Sequence, residues 1–333
     1  MEIDRGAAGP TSCDQPSIGQ LLPGSQIAPL SAAVICGTDF SDWAAHAMEV
    51  ASAFAQRLGE PLVLVHAVND KSQENLPCEL RESLSLYARA QLHDEEERLR
   101  ALKVEMIAAL RVGPPAAVLL EEVVAHHGRL IVLAAEKGRF PTRWLHSGVT
   151  ERVAEAASVP TLVVRDPAPL LRWANGGRRL RVLVGADFSA PSEAALRWVA
   201  WLRSMGPCDI VVACLEPIPA LHPTGDLFPS LLMDEMVLKT THMQERSFRR
   251  RVRNLIGSSR VRVRLERDWG HSDAHLIQLA AEERADLIVV GTHSRRSWHR
   301  LGHHSVSRGV LRYAPINVAC VPGQANEQPK CLL

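Results

Sequence analysis

Apolar residues fall into short continuous runs that alternate with longer stretches of helical spacing, and the chain goes through that series twice. In the first copy, Val34–Gly37 reads as a short buried strand. After Asp39-Phe40-Ser41, the apolar positions Ala44, Met48, Ala51, Ala55 and Leu58 recur at helical intervals. Ser41 suits a helix N-cap, because its hydroxyl can accept from the free amides of the first turn. Further strands are predicted at Leu62–His66, about Glu105–Val112, Leu130–Ala134 and Thr161–Val164. Helices are predicted over about Glu79–Leu102, from Gly113-Pro114 to about His127, and over Gly148–Ala157. The second copy repeats the order. Its strands fall near Val182–Gly185, Ile210–Cys214, Val261–Leu265, Leu287–Gly291 and Ile316–Val321. Its helices fall near Ser192–Met205, Leu231–Leu255, Asp273–Arg284 and Ser305–Ala314. Strict β/α alternation with continuous apolar strands predicts an α/β fold of two repeated five-stranded parallel sheets, with helices on both faces.

The repetition is also literal. Residues 34–41 read Val-Ile-Cys-Gly-Thr-Asp-Phe-Ser, and residues 182–189 read Val-Leu-Val-Gly-Ala-Asp-Phe-Ser, which sets the two aspartates 148 residues apart (187 − 39). Later pairs, Gly113 with Gly270 and Val149 with Val306, lie 157 apart (270 − 113), so the second copy carries nine additional residues in between. A repeat this long is a whole domain and not a solenoid unit. Residues 1–29, rich in Gly, Pro, Ser and Gln, are expected to form a poorly ordered leader. The domains are placed at 30–165 and 180–323, with a tail at 324–333. Between them, residues 166–179 are expected to form a linker, because Pro167, Pro169, Gly176 and Gly177 break both helix and strand patterns.

Composition narrows the class only a little. With 46% apolar and 23% charged residues, the chain has the make-up of an ordinary globular protein. A net charge of +1 provides no global attraction to nucleic acid or to an acidic membrane. The seven cysteines show no CxxC spacing, and Cys36 and Cys320 sit inside apolar strands as small core residues. That usage suits a reducing cytoplasm. The start, Met-Glu-Ile-Asp, has neither the basic nor the apolar region of a secretion signal, and no run of about 18 apolar residues occurs, so neither export nor a membrane span is expected.

In a sheet of this kind, ligands sit outside the carboxyl ends of the strands, where the strand order reverses. The Gly-x-Asp-Phe-Ser turn after each first strand lies at such an end. So does Asp286-Leu-Ile-Val-Val-Gly-Thr-His-Ser-Arg295 before the last helix, with Ser305-Val306 opening that helix and Ala314-Pro315 closing it. Together these residues resemble the universal stress protein family, over about 32–165 and 180–322. The resemblance implies an adenine-nucleotide α-hydrolase-like fold, a tandem protein, and two halves packed as a pseudo-dimer. ATP-binding members carry Gly-x2-Gly-x9-Gly-Ser/Thr after the fourth strand, where backbone amides cradle phosphate and glycine allows close approach. The second copy here reads Gly291-x2-Ser294-x9-His304-Ser305, and the first reads Ala134-x2-Lys137-x9-Ser147-Gly148. The resemblance therefore implies ATP or another adenine nucleotide in the second half, held by Asp187, Gly291 and Ser305, with Arg295 and Arg296 as phosphate contacts. Asp39 is the weaker counterpart in the first half. The competing reading of Asp39 and Asp187 is that each caps the turn into the following helix.

Other chemistry is sparse. His293, His299, His303 and His304 cluster with arginines after the fourth strand of the second copy, but their spacing matches no standard zinc pattern, and neither a metal nor a catalytic residue is assigned. Arg246, Arg249, Arg250, Arg251 and Arg253 read as the solvated face of a helix whose Met236, Met243, Phe248, Val252 and Leu255 point inward, which argues against nucleic-acid binding. The function expected is a non-enzymatic stress-response regulator or protective factor. It would act through a protein partner or self-association, and adenine nucleotide would modulate the second half. The alternatives are an ATP-binding protein with slow hydrolysis and a structural partner protein with degenerate pockets.

Overall fold

The computed structural model describes residues 32–68, 77–101, 103–135, 147–187, 189–217, 245–268, 270–292 and 305–323. Both copies fold into alternating strands and helices. The first contains β1 (Ala33–Gly37), α1 (Asp42–Leu58), β2 (Leu62–Val68), α2 (Cys78–Ala101), β3 (Met106–Val112), α3 (Pro115–Ala125), β4 (Gly128–Ala134), α4 (Ser147–Ala156) and β5 (Thr161–Val164). After a connecting helix α5 (Pro167–Ala174) come β6 (Leu180–Gly185), α6 (Ala190–Met205), β7 (Cys208–Pro217), α7 (residues 245–256), β8 (Val261–Asp268), α8 (Ser272–Glu282), β9 (Leu287–Thr292), α9 (Val306–Tyr313) and β10 (Asn317–Pro322). The predicted helix over Leu231–Leu255 is therefore seen from residue 245 onward, and its earlier part, with Met236 and Met243, lies outside the described residues.

The two five-stranded sheets are one. Their order is β3-β2-β1-β4-β5-β10-β9-β6-β7-β8, parallel throughout except where β5 meets β10 antiparallel. At that seam Leu162 faces Ala319, which occupies the equivalent position 157 residues later (319 − 162), so a pseudo-twofold axis passes between them. The equivalent residues Arg57 and Met205 also meet, with Arg57 Nε 2.5 Å from the Met205 carbonyl. Strand register also shows where the additional residues of the second copy fall. Leu62 pairs with Met106 and Ile210 with Val261, so β3 and β8 are 155 apart (261 − 106). Seven of the nine residues (155 − 148) precede β8, and two (157 − 155) follow it.

Strand side chains alternate between two buried layers, as a sheet covered on both faces requires. Val34 and Cys36 of β1 join a core with α1, α2, α5, α6 and α7, whereas Ala33 and Ile35 pack with α3 and α4 on the opposite face. In the second half that opposite face is covered by α8 and α9. On α7, Phe248 and Val252 are buried and Arg246, Arg249, Arg250, Arg251 and Arg253 are exposed, as their helical spacing predicts.

The connection between the halves departs from the sequence reading. Residues 167–174 form a helix: Asp166 caps it by accepting from Ala168 N at 3.1 Å, and Pro167 and Pro169 sit in a first turn that needs no backbone donors. Leu170 and Trp173 are fully buried, with Trp173 against Phe54 at a centroid separation of 5.6 Å. A Cβ on Gly206 would lie 2.7 Å from Trp173 Nε1, so only glycine lets the backbone at the end of α6 approach the indole this closely. Arg57 lies over Trp173, 5.8 Å from the ring centroid, and donates to the Ala174 carbonyl at 2.7 Å. The segment therefore belongs to the core that both halves share.

Candidate functional site

Strand order reverses twice at carboxyl ends, between β1 and β4 and again between β6 and β9. Asp187 follows β6 and Gly291 lies in the neighbouring β9, so the structure brings these two predicted residues to one switch point, with Asp187 exposed there. Asp39 occupies the matching edge of the first half, also exposed, beside Ala134 at the end of β4. Arg295, Arg296 and the four histidines of that loop lie outside the described residues.

The two aspartates make the same local structure. Asp39 Oδ1 accepts from Ser41 N at 3.0 Å and from Ser41 Oγ at 2.6 Å, and Ser41 Oγ in turn accepts from Ala44 N at 3.2 Å. Asp187 Oδ1 accepts from Ser189 N at 3.1 Å and from Ser189 Oγ, and Ser189 Oγ accepts from Ser192 N at 3.3 Å. In each half the serine is the N-cap and the aspartate orients its hydroxyl, a closed Asx-type turn. In the first half the turn is further braced. Phe40, at φ 61°, stacks on His66 at 4.4 Å, and His66 Nδ1 lies 2.9 Å from the Thr38 carbonyl. Nothing local in the sequence marks His66 as the partner of Phe40, because the two lie in different elements.

Gly291 has a packing reason of its own. A Cβ there would lie 2.4 Å from both the carbonyl carbon and the carbonyl oxygen of Pro191, in the first turn of α6. The equivalent positions in the first half hold Trp43 and Ala134, so that close contact belongs to the second half alone. Ser305 stands at the N-cap of α9, but its Oγ pairs with Ser307 Oγ at 2.8 Å and does not cap the backbone. With Thr292, Glu155 and Arg308 it borders a cavity of about 10 Å³, room for no more than one water. An exposed carboxylate accepts from hydroxyl groups such as those of a ribose, and Asp187 is such a group at this edge. Gly291 is committed to Pro191, and the first half offers only Asp39.

The buried thiols and the buried guanidinium of Arg165 are structural. Burial pushes the thiols of Cys36, Cys208 and Cys320 up to about 12. It pushes the Arg165 guanidinium down to about 10, where that group donates to the carbonyls of Leu311 in α9 and Ile316 just before β10. Among the described residues, no three His, Cys, Asp or Glu side chains group to hold a metal ion, and no helix is long and apolar enough to cross a membrane.

A sequence model of the universal stress protein family matches residues 32–165 and 179–322. The chain belongs to the universal stress protein family. It is a tandem universal stress protein, with two such domains in one polypeptide. Among solved structures it is similar to a universal stress protein from Archaeoglobus fulgidus DSM 4304, 17% identical, with a TM-score of 0.58, covering 87% of this chain and 96% of that one. A putative universal stress protein from Pseudomonas aeruginosa UCBPP-PA14 is 13% identical, with a TM-score of 0.57 and coverages of 88% and 93%. At such identities the likeness establishes the fold. A further universal stress protein, solved in complex with cAMP, is 22% identical over 40% of this chain and 97% of its own, with a TM-score of 0.34. No curated protein matches the chain.

Proposed function

We propose that this tandem universal stress protein is a non-enzymatic stress-response regulator or protective factor that works through protein contacts and takes an adenine nucleotide at the switch point of its second half. The observation that carries this reading is the asymmetry between the two switch points. Both aspartates are exposed and precede a serine-capped helix, but the neighbouring strand carries Gly291 in the second half and Ala134 in the first, and Cys214 stands where His66 stacks on Phe40. A second reading, a structural partner with a degenerate pocket, draws support from Gly291, whose close approach is already used by Pro191.

Thermal unfolding of the full chain, with and without millimolar ATP and magnesium, separates the two readings. The chain is compared with Asp187→Ala and His304→Gly variants. A nucleotide at 100 times its Kd stabilises by about 2.7 kcal/mol. The expected result is a raised midpoint in the native chain, lost in Asp187→Ala. If the native chain shows no shift and His304→Gly gains one, the pocket is closed on a competent frame and the structural reading stands. Phosphate release measured in the same samples is expected at background; sustained release that disappears with Asp187→Ala would instead make the protein a slow ATPase.

A further inference from the structure

A cleft of about 520 Å³ opens at the amino ends of β6, β7 and β8, the opposite edge of the sheet from the switch point. Its polar lining is Arg181, Asp209, Arg260, Arg262, Glu283 and Arg284. Arg260 is paired with Asp209 at 3.3 Å and Arg262 with Glu283. Arg181 and Arg284 have no carboxylate partner among the described residues, although Arg181 Nη1 lies 3.4 Å from the Arg284 carbonyl. The backbone fixes both. Arg181 N donates to Asp286 Oδ2 at 2.9 Å, and Arg284, at φ 49°, sits in the turn that ends α8, with its N–H on the Ala281 carbonyl at 3.1 Å. Within the lining, four guanidinium groups stand against two carboxylates.

The first half shows that this arrangement is not a by-product of the fold. Strand register places Glu105 and Ile107 where Arg260 and Arg262 stand. Ala33 takes the place of Arg181, and His127, at φ 51°, that of Arg284 at φ 49°. One half has thus gathered arginines at an edge that the other leaves nearly neutral. Guanidinium forks match phosphate oxygens in pairs, and a cleft of several hundred Å³ holds a small molecule.

We infer that this arginine cleft binds a small molecule through a phosphate or pyrophosphate group, at a site separate from the nucleotide switch point. Calorimetric titration of the full chain with inorganic pyrophosphate, at low ionic strength and without divalent metal, tests it. The expected result is one saturable site that weakens at least tenfold in an Arg181→Gln/Arg284→Asn variant, where asparagine keeps the left-handed backbone accessible. Asp209→Asn, which releases Arg260 and removes a negative charge, is expected to tighten binding several-fold. Asp187→Ala is expected to bind as the native chain does. Absence of saturable binding, or an Arg181→Gln/Arg284→Asn variant that binds like the native chain, overturns the inference. So does binding that is lost with Asp187→Ala instead, which would assign pyrophosphate to the other edge of the sheet.

Discussion

Asn317 has no solvent exposure, and its amide is fully used. Oδ1 accepts from the backbone N–H of Arg165 at 2.8 Å and of Asp166 at 3.0 Å, while Nδ2 donates to the carbonyls of Asp166 at 2.9 Å and Asp286 at 3.0 Å. One side chain therefore ties the exit of β5 to the start of β10. A buried donor or acceptor stripped of its partner costs about 1–3 kcal/mol, and four would be stripped together. Asn317→Ala is expected to lower unfolding stability by about 3 kcal/mol or more in a denaturant titration, and a change below about 1 kcal/mol would show that water replaces the amide without loss. Parts of the site were equally legible one residue at a time. The strand-end placement of Asp39 and Asp187 and the capping geometry around them both follow from Asp-x-Ser before a helix. The tie between Gly291 and Pro191 was not legible, because the two lie 100 residues apart (291 − 191) and nothing local announces a contact.

Helices α4 and α9 meet across the seam through two ion pairs. Arg308 reaches Glu155 with Nε at 2.9 Å and Nη2 at 2.6 Å, and Arg312 reaches Glu151 at 3.5 Å. Under the 157-residue equivalence, Glu151 corresponds to Arg308 and Glu155 to Arg312, so one half is acidic where the other is basic. Two copies of either half would set like charges face to face; the native pairing alternates them. Glu155→Arg is expected to destabilise the chain by about 1 kcal/mol, and adding Arg308→Glu to restore most of it, the signature of a coupled pair in a double-mutant cycle. Purely additive losses would mean that the two helices are held by packing alone. The strands were predicted to within a few residues because a doubly covered sheet writes itself as continuous apolar runs. Helix α5 is hidden in the sequence by Pro167 and Pro169, residues that break a helix interior. Asp166-Pro167-x-Pro169 is instead a cap followed by a first turn, the one place where missing N–H groups cost nothing.

At the scale of the molecule, one hydrophobic cluster runs from Val34 through Phe54, Leu170 and Trp173 to Val199 and Val321, without a break between the copies. The halves are therefore expected to unfold in a single calorimetric transition, and Trp173→Ala to lower it by about 3–5 kcal/mol, the usual loss for a buried aromatic. Two resolved transitions in the native chain would show that the shared core is thermodynamically divisible. The place of β10 has a further consequence. It is the last of the described strands along the chain, yet it lies at the centre of the ten, between β5 and β9. During synthesis, both of those strands are complete before their common neighbour has been made. Until residues 317–322 clear the ribosome, the nascent chain holds two half-sheets, each with an open apolar edge facing the other, and a premature stop before Asn317 would leave both edges permanently available to other chains.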